Sequence, residues 1–453
     1  MLALVSVLSS VGCTSWPERP PPPKYGDTPT DTFPSFLGRV PRNIVMISID
    51  TFRRDHLDRY GEPGVTPFLS TLAARGVALD DLIQCSNWTY ASTSCTLAGR
   101  YNFEAGLAAQ LQELGREAWP EGTPFLATHL AEAGYFSVLS STNGWLSPEW
   151  GNTQGYTEAF HPHDGTALGA YREARASLDE ALANGADRWL LHVHMVEPHA
   201  PYAPPDSYLG ELAGLPPVPW DLSDQEVHYD QRSNWPSMTP EEQDLLRSHL
   251  QARYRAELRW LDDQIFTIYQ DLEADDLLDD AMIVVWTDHG EAFWEHSFQT
   301  HAYTLHPEEN RSIGFFWAKN IVEASYDGPA SSIDLAPTLL SLQGLPIPPE
   351  MTGTPIGQAP PDRSRLAWAV ARLGSLQSIT QGDWKLTFAW SGGVRLYDLS
   401  VDPQEQSNLY DPLDPDPIAL QLWAELEPAV REAAPLAPAY GVRWPTELFA
   451  DPP

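Results

Sequence analysis

The sequence predicts an α/β fold in which a central, mostly parallel sheet lies between helix layers and a small antiparallel sheet follows near the C-terminus. Two observations carry that prediction. Short all-apolar runs alternate with amphipathic stretches to about residue 360, and strands joined by crossover helices build parallel sheets covered on both faces. Beyond Pro361 the segments shorten and end in turns, as hairpins do.

Asn43 to Asp50 (NIVMISID) is the first buried strand. The helix after it, near Thr66 to Arg75, places Phe68, Leu69, Leu72 and Ala73 at helical spacing. Further strands fall at Tyr135 to Leu139, Trp189 to Met195, Met282 to Thr287 and Ile313 to Trp317, with helices around Tyr171 to Leu182 and Glu241 to Leu272. Asp383 to Phe388 and Val394 to Leu399, around the Gly392-Gly393 turn, make the antiparallel sheet, and a last helix spans Pro417 to Ala433. Residues 41–360 then form a catalytic domain and residues 361–453 a C-terminal subdomain. The segment Leu209 to Pro240 shows no readable pattern and is the place for specificity loops.

The chain has 453 residues, 42% of them hydrophobic, and a formal net charge of −35. That balance excludes a nucleic-acid binder relying on phosphate contacts. It also repels an anionic substrate at long range, so such a substrate must be held by short-range fields. Lys24, Lys319 and Lys385 are the only lysines, leaving 27 − 3 = 24 arginines.

Residues 1–13 are apolar or small and end at Cys13, which resembles the lipobox of bacterial lipoproteins, although Ser10 stands where Leu is usual and no charged residue precedes the run. The stretch is shorter than the ~20 apolar residues of a membrane span. Export to the periplasm or outer membrane with Cys13 as lipid anchor is expected; the alternatives are a cleaved secretion signal and an ordinary cytosolic start. Residues 14–40, with prolines at 20–23, read as a semi-rigid tether. Cys85 and Cys95, ten residues apart, either pair in an oxidising compartment or stand as two buried thiols.

In an open α/β sheet the ligand site lies beyond the carboxyl ends of the strands. The first strand ends in Asp50-Thr51, another in Glu197-Pro198-His199, and a third in Asp288-His289-Gly290-Glu291, with His296 and His301 close behind. Carboxylates and imidazoles from separate strands converging on one edge are how a metal site is built from distant sequence.

The runs NIVMISIDTFRRDHLDRYG (43–61), TPFLSTLAARGV (66–77), TLAGR (96–100), HMVEPHAPY (194–202), TDHGE (287–291), IDLAPTLLSLQGLP (333–346) and LYDLSVDPQEQSNL (396–409) together resemble the sulfatase family of the alkaline phosphatase superfamily, in family order from about residue 41 to 410. The resemblance implies an alkaline-phosphatase-like sheet and a metal-assisted nucleophile at a helix N-terminus. The departures are as informative. The family's formylglycine-forming Cys or Ser sits eleven residues before the Arg that corresponds to Arg100, and here that position is Thr89, without the accompanying Pro and Arg. Where the family carries a sulfate-contacting Lys and His, this chain has Ser140-Ser141-Thr142-Asn143-Gly144-Trp145.

Thr nucleophiles occur in superfamily relatives, in which a metal held by Asp, Asp and His activates the hydroxyl. Carried over residue by residue, the ligands are Asp50, Asp288 and His289 together with Thr89, and a second ion takes His301, His199 and Glu197. The same transfer makes Thr89 and His199 catalytic and places Tyr90, Asn143 and His194 at the substrate. Thr89 also reads as a helix N-cap; His296 and His306 are weaker candidates, with a surface position as the alternative. One or two divalent ions are expected, Zn²⁺ or Mn²⁺ ahead of Ca²⁺ or Mg²⁺. The expected activity is hydrolysis of a small anionic ester or an envelope glycan or lipid ester, phosphate ahead of sulfate. Alternatives are a true sulfuric ester hydrolase, a phospho-group transferase to an envelope acceptor, and a non-catalytic binding protein.

Overall fold

A computed structural model describes residue 26 and residues 28–449, except 62, 108–118, 162–164, 372–373 and 437–440. The expected lipid anchor Cys13 and the proline run lie outside the described residues. The central sheet has eight strands: β1 (Asn43–Ile49), β2 (Val77–Leu79), β3 (Phe136–Ser141), β4 (Glu158–Phe160), β5 (Trp189–Met195), β6 (Ala281–Thr287), β7 (Gly314–Trp317) and β8 (Ala324–Tyr326). Their spatial order is β8-β2-β7-β6-β1-β5-β3-β4. Every described pairing is parallel except those of β7, which runs against β6 and β2.

All seven residues of β1, β5 and β6 are buried, the mark of strands covered on both faces. Alternation divides β1 between two cores. Ile44 and Met46 join the core beneath the helices Thr89–Ala98, Leu126–Glu132 and Leu335–Leu342. Val45, Ile47 and Ile49 join the opposite core, which holds the helices Ala167–Ala183 and Pro240–Ala274. The latter runs 35 residues behind a capping box in which Thr239 and Glu242 satisfy each other's backbone N–H groups.

Register places the site. β1 pairs β6 from Asn43↔Ala281 to Ile49↔Thr287, so Asp50 and Asp288 leave the sheet side by side. The Asp288 amide donates to the Ile49 carbonyl at 3.1 Å and the Asp50 amide to the Met195 carbonyl at 2.9 Å. Both residues continue the parity of Met46 and Val284, which face the core of the Thr89–Ala98 helix.

The C-terminal sheet pairs Arg365–Ala371, Gly374–Gln381, Trp384–Ala389 and Val394–Asp398 in sequence order, all antiparallel. The helix Pro417–Ala433 packs on it through Leu422, Trp423 and Leu426. The expected tether needs one correction. Phe36 is fully buried, bridges Ile321, and is flanked by hydrogen bonds from Leu37 to Asn320 and from Val322 to Ser35. Residues 28–40 are therefore docked against the segment Asn320 to Val322: one aromatic side chain and backbone pairing hold a segment that has no apolar period.

Candidate active site

Asp50, Asp288 and His289 are completely buried, and their donor atoms lie within 4.8 Å of one another. His289 Nε2 stands 3.4 Å from Asp50 Oδ1 and 3.5 Å from Asp288 Oδ2. Neither carboxylate oxygen has a hydrogen-bond partner among the described residues. These separations exceed an ordinary hydrogen bond. They match donors sharing one ion: around a tetrahedral centre with bonds of about 2.1 Å, ligands stand roughly 3.4 Å apart. The donor set thus fits a divalent cation.

Electrostatics agree. Burial, and then the charge of Asp50, push the Asp288 carboxyl well above the usual carboxylate range, so two side-by-side carboxylates need a cation. His289 is held neutral by burial, with His301 acting in the same direction. Its Nδ1–H donates to the Gly290 carbonyl at 2.9 Å, which leaves the Nε2 lone pair for an ion. Gly290 is required here because a Cβ would lie 2.0 Å from the Glu308 carbonyl oxygen.

Thr89 is the first residue of its helix, and Trp88 is the cap position. The Thr89 hydroxyl is 3.4 Å from His289 Nε2, 3.5 Å from Asp50 Oδ2 and 3.2 Å from Asn143 Nδ2. It therefore faces the metal-binding group and makes no cap bond. The first backbone N–H groups of the helix have no intrahelical partner and favour an anion there.

Asn143 leaves β3 through a turn in which its amide meets Ser141 Oγ at 3.2 Å. Its side chain donates to Asp50 Oδ2 at 2.6 Å. His199 and His301 adjoin His289: the His301 ring lies 4.3 Å from that of His289 and 5.1 Å from that of His199. His199 Nδ1 donates to the Ala200 carbonyl at 2.6 Å.

The remaining expected site residues lie elsewhere. Glu197 accepts from the Ala167 amide at 3.0 Å and from Gln264 at 3.4 Å, both through Oε1, at the start of the helix Ala167–Ala183. The Tyr90 ring packs against Trp88 and Trp150 at 5.6 and 5.9 Å. His194 is buried beneath the site, joined to His192 through Ser48 Oγ, with both contacts at 2.8 Å. His296 and His306 stack at 3.7 Å over Glu308 and Glu405. Among the described residues the close donor group is Asp50, Asp288 and His289, and it does not include His301, His199 or Glu197.

Two residues named at the strand ends but given no role there also take part. Glu291 is wholly buried, with Oε1 3.4 Å from His301 Nδ1, and burial pushes its carboxyl up to about 8. Its signal was its place two residues after His289. Thr51 sits at φ 51°, left-handed backbone held by Tyr254, whose hydroxyl donates to the Thr51 carbonyl at 2.7 Å. Cys85 and Cys95 are joined across this helix start, with Cα atoms 6.6 Å apart.

A model of the family described as Sulfatase matches residues 42–345. The chain belongs to the sulfatase family. Choline-sulfatase of Rhizobium meliloti is 22% identical and covers 76% of this chain and 77% of its own length. A structure solved in complex with its substrate D-glucosamine-2-N,6-O-disulfate has a TM-score of 0.69 at 17% identity, covering 86% of this chain and 98% of that one. A phosphonate monoester hydrolase from Silicibacter pomeroyi has a TM-score of 0.63 at 19% identity, covering 87% and 95%. This sulfatase-family hydrolase shares their fold, with its donor cluster at the carboxyl edge of the sheet.

Proposed function

We propose that the protein hydrolyses a small phosphate- or phosphonate-type ester, with the Thr89 oxygen as nucleophile. The observation that carries this reading is the Thr89 hydroxyl, 3.4 Å from His289 Nε2 and 3.5 Å from Asp50 Oδ2 at the start of a helix. Asp50, Asp288 and His289 would hold a divalent ion, Zn²⁺ or Mn²⁺ by donor type, which lowers the pKa of the Thr89 hydroxyl and neutralises charge on the ester oxygens. Asn143 orients Asp50 and donates toward Thr89 Oγ1. The free N–H groups of the helix start receive the equatorial oxygens. His199, its Nδ1 tied to the Ala200 carbonyl, keeps Nε2 for a proton at the leaving group.

Chemistry separates phosphorus from sulfur. A formylglycine hydrate expels sulfate by collapsing to an aldehyde, whereas a threonyl ester leaves only by attack at the central atom, which a metal site supports readily at phosphorus. The fold is shared with a phosphonate monoester hydrolase and with a structure solved with a sulfated sugar as its substrate, so the chemistry of the threonyl ester carries the choice. A second reading, sulfate-ester hydrolysis, draws on the match to choline-sulfatase. Export with a lipid on Cys13 completes the proposal, and Cys13→Ser should then release the protein from membranes.

Nitrophenyl phosphate, phosphodiester, phosphonate and sulfate assays on the wild type and on Thr89→Ala test the reading. Turnover of a phosphorus ester that vanishes in Thr89→Ala supports it. Full activity in Thr89→Ala removes the nucleophile claim, and turnover confined to the sulfate installs the second reading.

A further inference from the structure

The helix Gln225–Asn234 lies inside the segment without a readable pattern and brings a cation to the site. His228 and Arg232 are four residues apart and share one helix face. His228 is buried, with its ring 5.5 Å from that of Tyr202 and its Nε2 3.0 Å from Gln299 Nε2. Tyr202 in turn packs edge-on against Tyr254, with ring centroids 5.5 Å apart. One turn along, Arg232 reaches Thr300 Oγ1 at 3.4 Å, beside His301. His301, the residue after Thr300, has its ring 4.3 Å from that of His289, which sets the guanidinium on the histidine side of the metal-binding group.

Arg232 has no carboxylate partner among the described residues; its guanidinium meets the Thr300 hydroxyl and the Tyr229 ring, 5.1 Å away. That is unexpected in a chain carrying 62 acidic residues against 27 basic ones. A planar guanidinium is suited to tetrahedral oxyanions, to which it donates two parallel hydrogen bonds. The stretch Ser140 to Trp145 has no lysine, so Arg232 adds a side-chain cation that this stretch does not supply.

We propose that Arg232 is a specificity-determining residue that binds an anionic oxygen of the ester, so that the preferred substrate carries a charged phosphoryl or sulfuryl group. This rests on the ester-hydrolase reading but is tested separately. Arg232→Gln should raise KM about tenfold, equivalent to about 1.4 kcal/mol, with kcat within about twofold. It should weaken binding of inorganic phosphate by the same factor in calorimetry on the metal-loaded protein. Arg232→Lys should recover part of that affinity.

Calorimetry repeated in a Thr89→Ala background keeps the test independent of turnover: failure to hydrolyse any ester sinks the function while the phosphate measurement still judges Arg232. Unchanged phosphate affinity and unchanged KM in an Arg232→Gln protein of wild-type melting temperature overturn the proposal. A fall in kcat with constant KM overturns it too, since that pattern marks an effect on chemistry instead of substrate binding.

Discussion

Asn143 Nδ2 lies 2.6 Å from Asp50 Oδ2, so the side chain following β3 fixes the carboxylate following β1. The bond occupies one Asp50 oxygen and leaves the other facing His289. Partners that orient a ligand typically contribute 10- to 100-fold to metal affinity or activity. Asn143→Ala should therefore lower kcat/KM by about 10- to 100-fold and weaken metal retention, measured by kinetics and by metal analysis after dialysis. Asn143→Asp should do worse, because it sets a third carboxylate beside Asp50 and Asp288. Wild-type metal content in Asn143→Ala would limit Asn143 to the Thr89 contact.

Metal removal should destabilise the protein. A ligand bound only by the native state raises stability in proportion to the logarithm of its free concentration, and Asp50 and Asp288 without a cation are adjacent buried carboxylates. Chelation should lower the Tm and added Zn²⁺ or Mn²⁺ should restore it. In Asp288→Asn the chelator should have little effect on Tm. An equal fall in the variant would place the stabilising ion elsewhere.

The Cys85–Cys95 link encloses Thr89 within a ten-residue separation. Closing a loop of that size stabilises by roughly 3 kcal/mol on the chain-entropy model, within a usual range of about 2–4. The double variant Cys85→Ala/Cys95→Ala should lose about that much in denaturant unfolding and lose activity through a looser helix start. Two free thiols titrated in denatured, unreduced wild-type protein would remove the basis for this expectation.

Tyr254 stabilises the turn after Asp50. Its hydroxyl donates to the Thr51 carbonyl at 2.7 Å and accepts from the Arg53 amide at 2.9 Å, both buried. Thr51, at φ 51°, occupies a backbone region that costs of order 1–3 kcal/mol for a non-glycine residue. Tyr254→Phe leaves both backbone groups unpaired, a loss of about 1–3 kcal/mol. It should also lower metal affinity, since Asp50 is the adjoining residue. A Tm and a metal affinity equal to wild type would show that the turn is held without it.

The strand ends were legible because apolar runs mark buried strands and their last residues must face the sheet edge; that brought Asp50, Asp288 and His289 forward together with Glu197 and His199, and the family resemblance selected the three. What sequence does not encode locally is the direction of a side chain after the strand. Glu197 follows a strand just as Asp50 does, yet it turns to the Ala167 amide, 30 residues away in sequence. Tyr90 follows Thr89, but helix geometry sends its ring toward Trp88 and Trp150. Arg232 could not be read because the segment around it has no apolar period to place it. Phe36 was hidden similarly, its burial depending on a bridge to Ile321.

Asp262 offers a pH test away from the site. It is fully buried on the long Pro240–Ala274 helix and accepts the Phe68 and Leu69 amides at 2.9 and 2.8 Å. Burial pushes its carboxyl up to about 7, against about 3.9 in an unfolded chain. Between those values the folded state binds more protons than the unfolded state, so this group's contribution to stability is greatest below about pH 4 and falls as pH rises to about 7. The change is on the order of 3–4 kcal/mol over that window. Asp262→Asn cannot titrate and lacks that slope. Melting both proteins from pH 4 to 8 should therefore show the wild type losing ground to the variant up to about pH 7 and a constant difference above it. A wild type that gained on the variant with rising pH would mean that the two amide hydrogen bonds keep Asp262 ionised, with a pKa below its unfolded value.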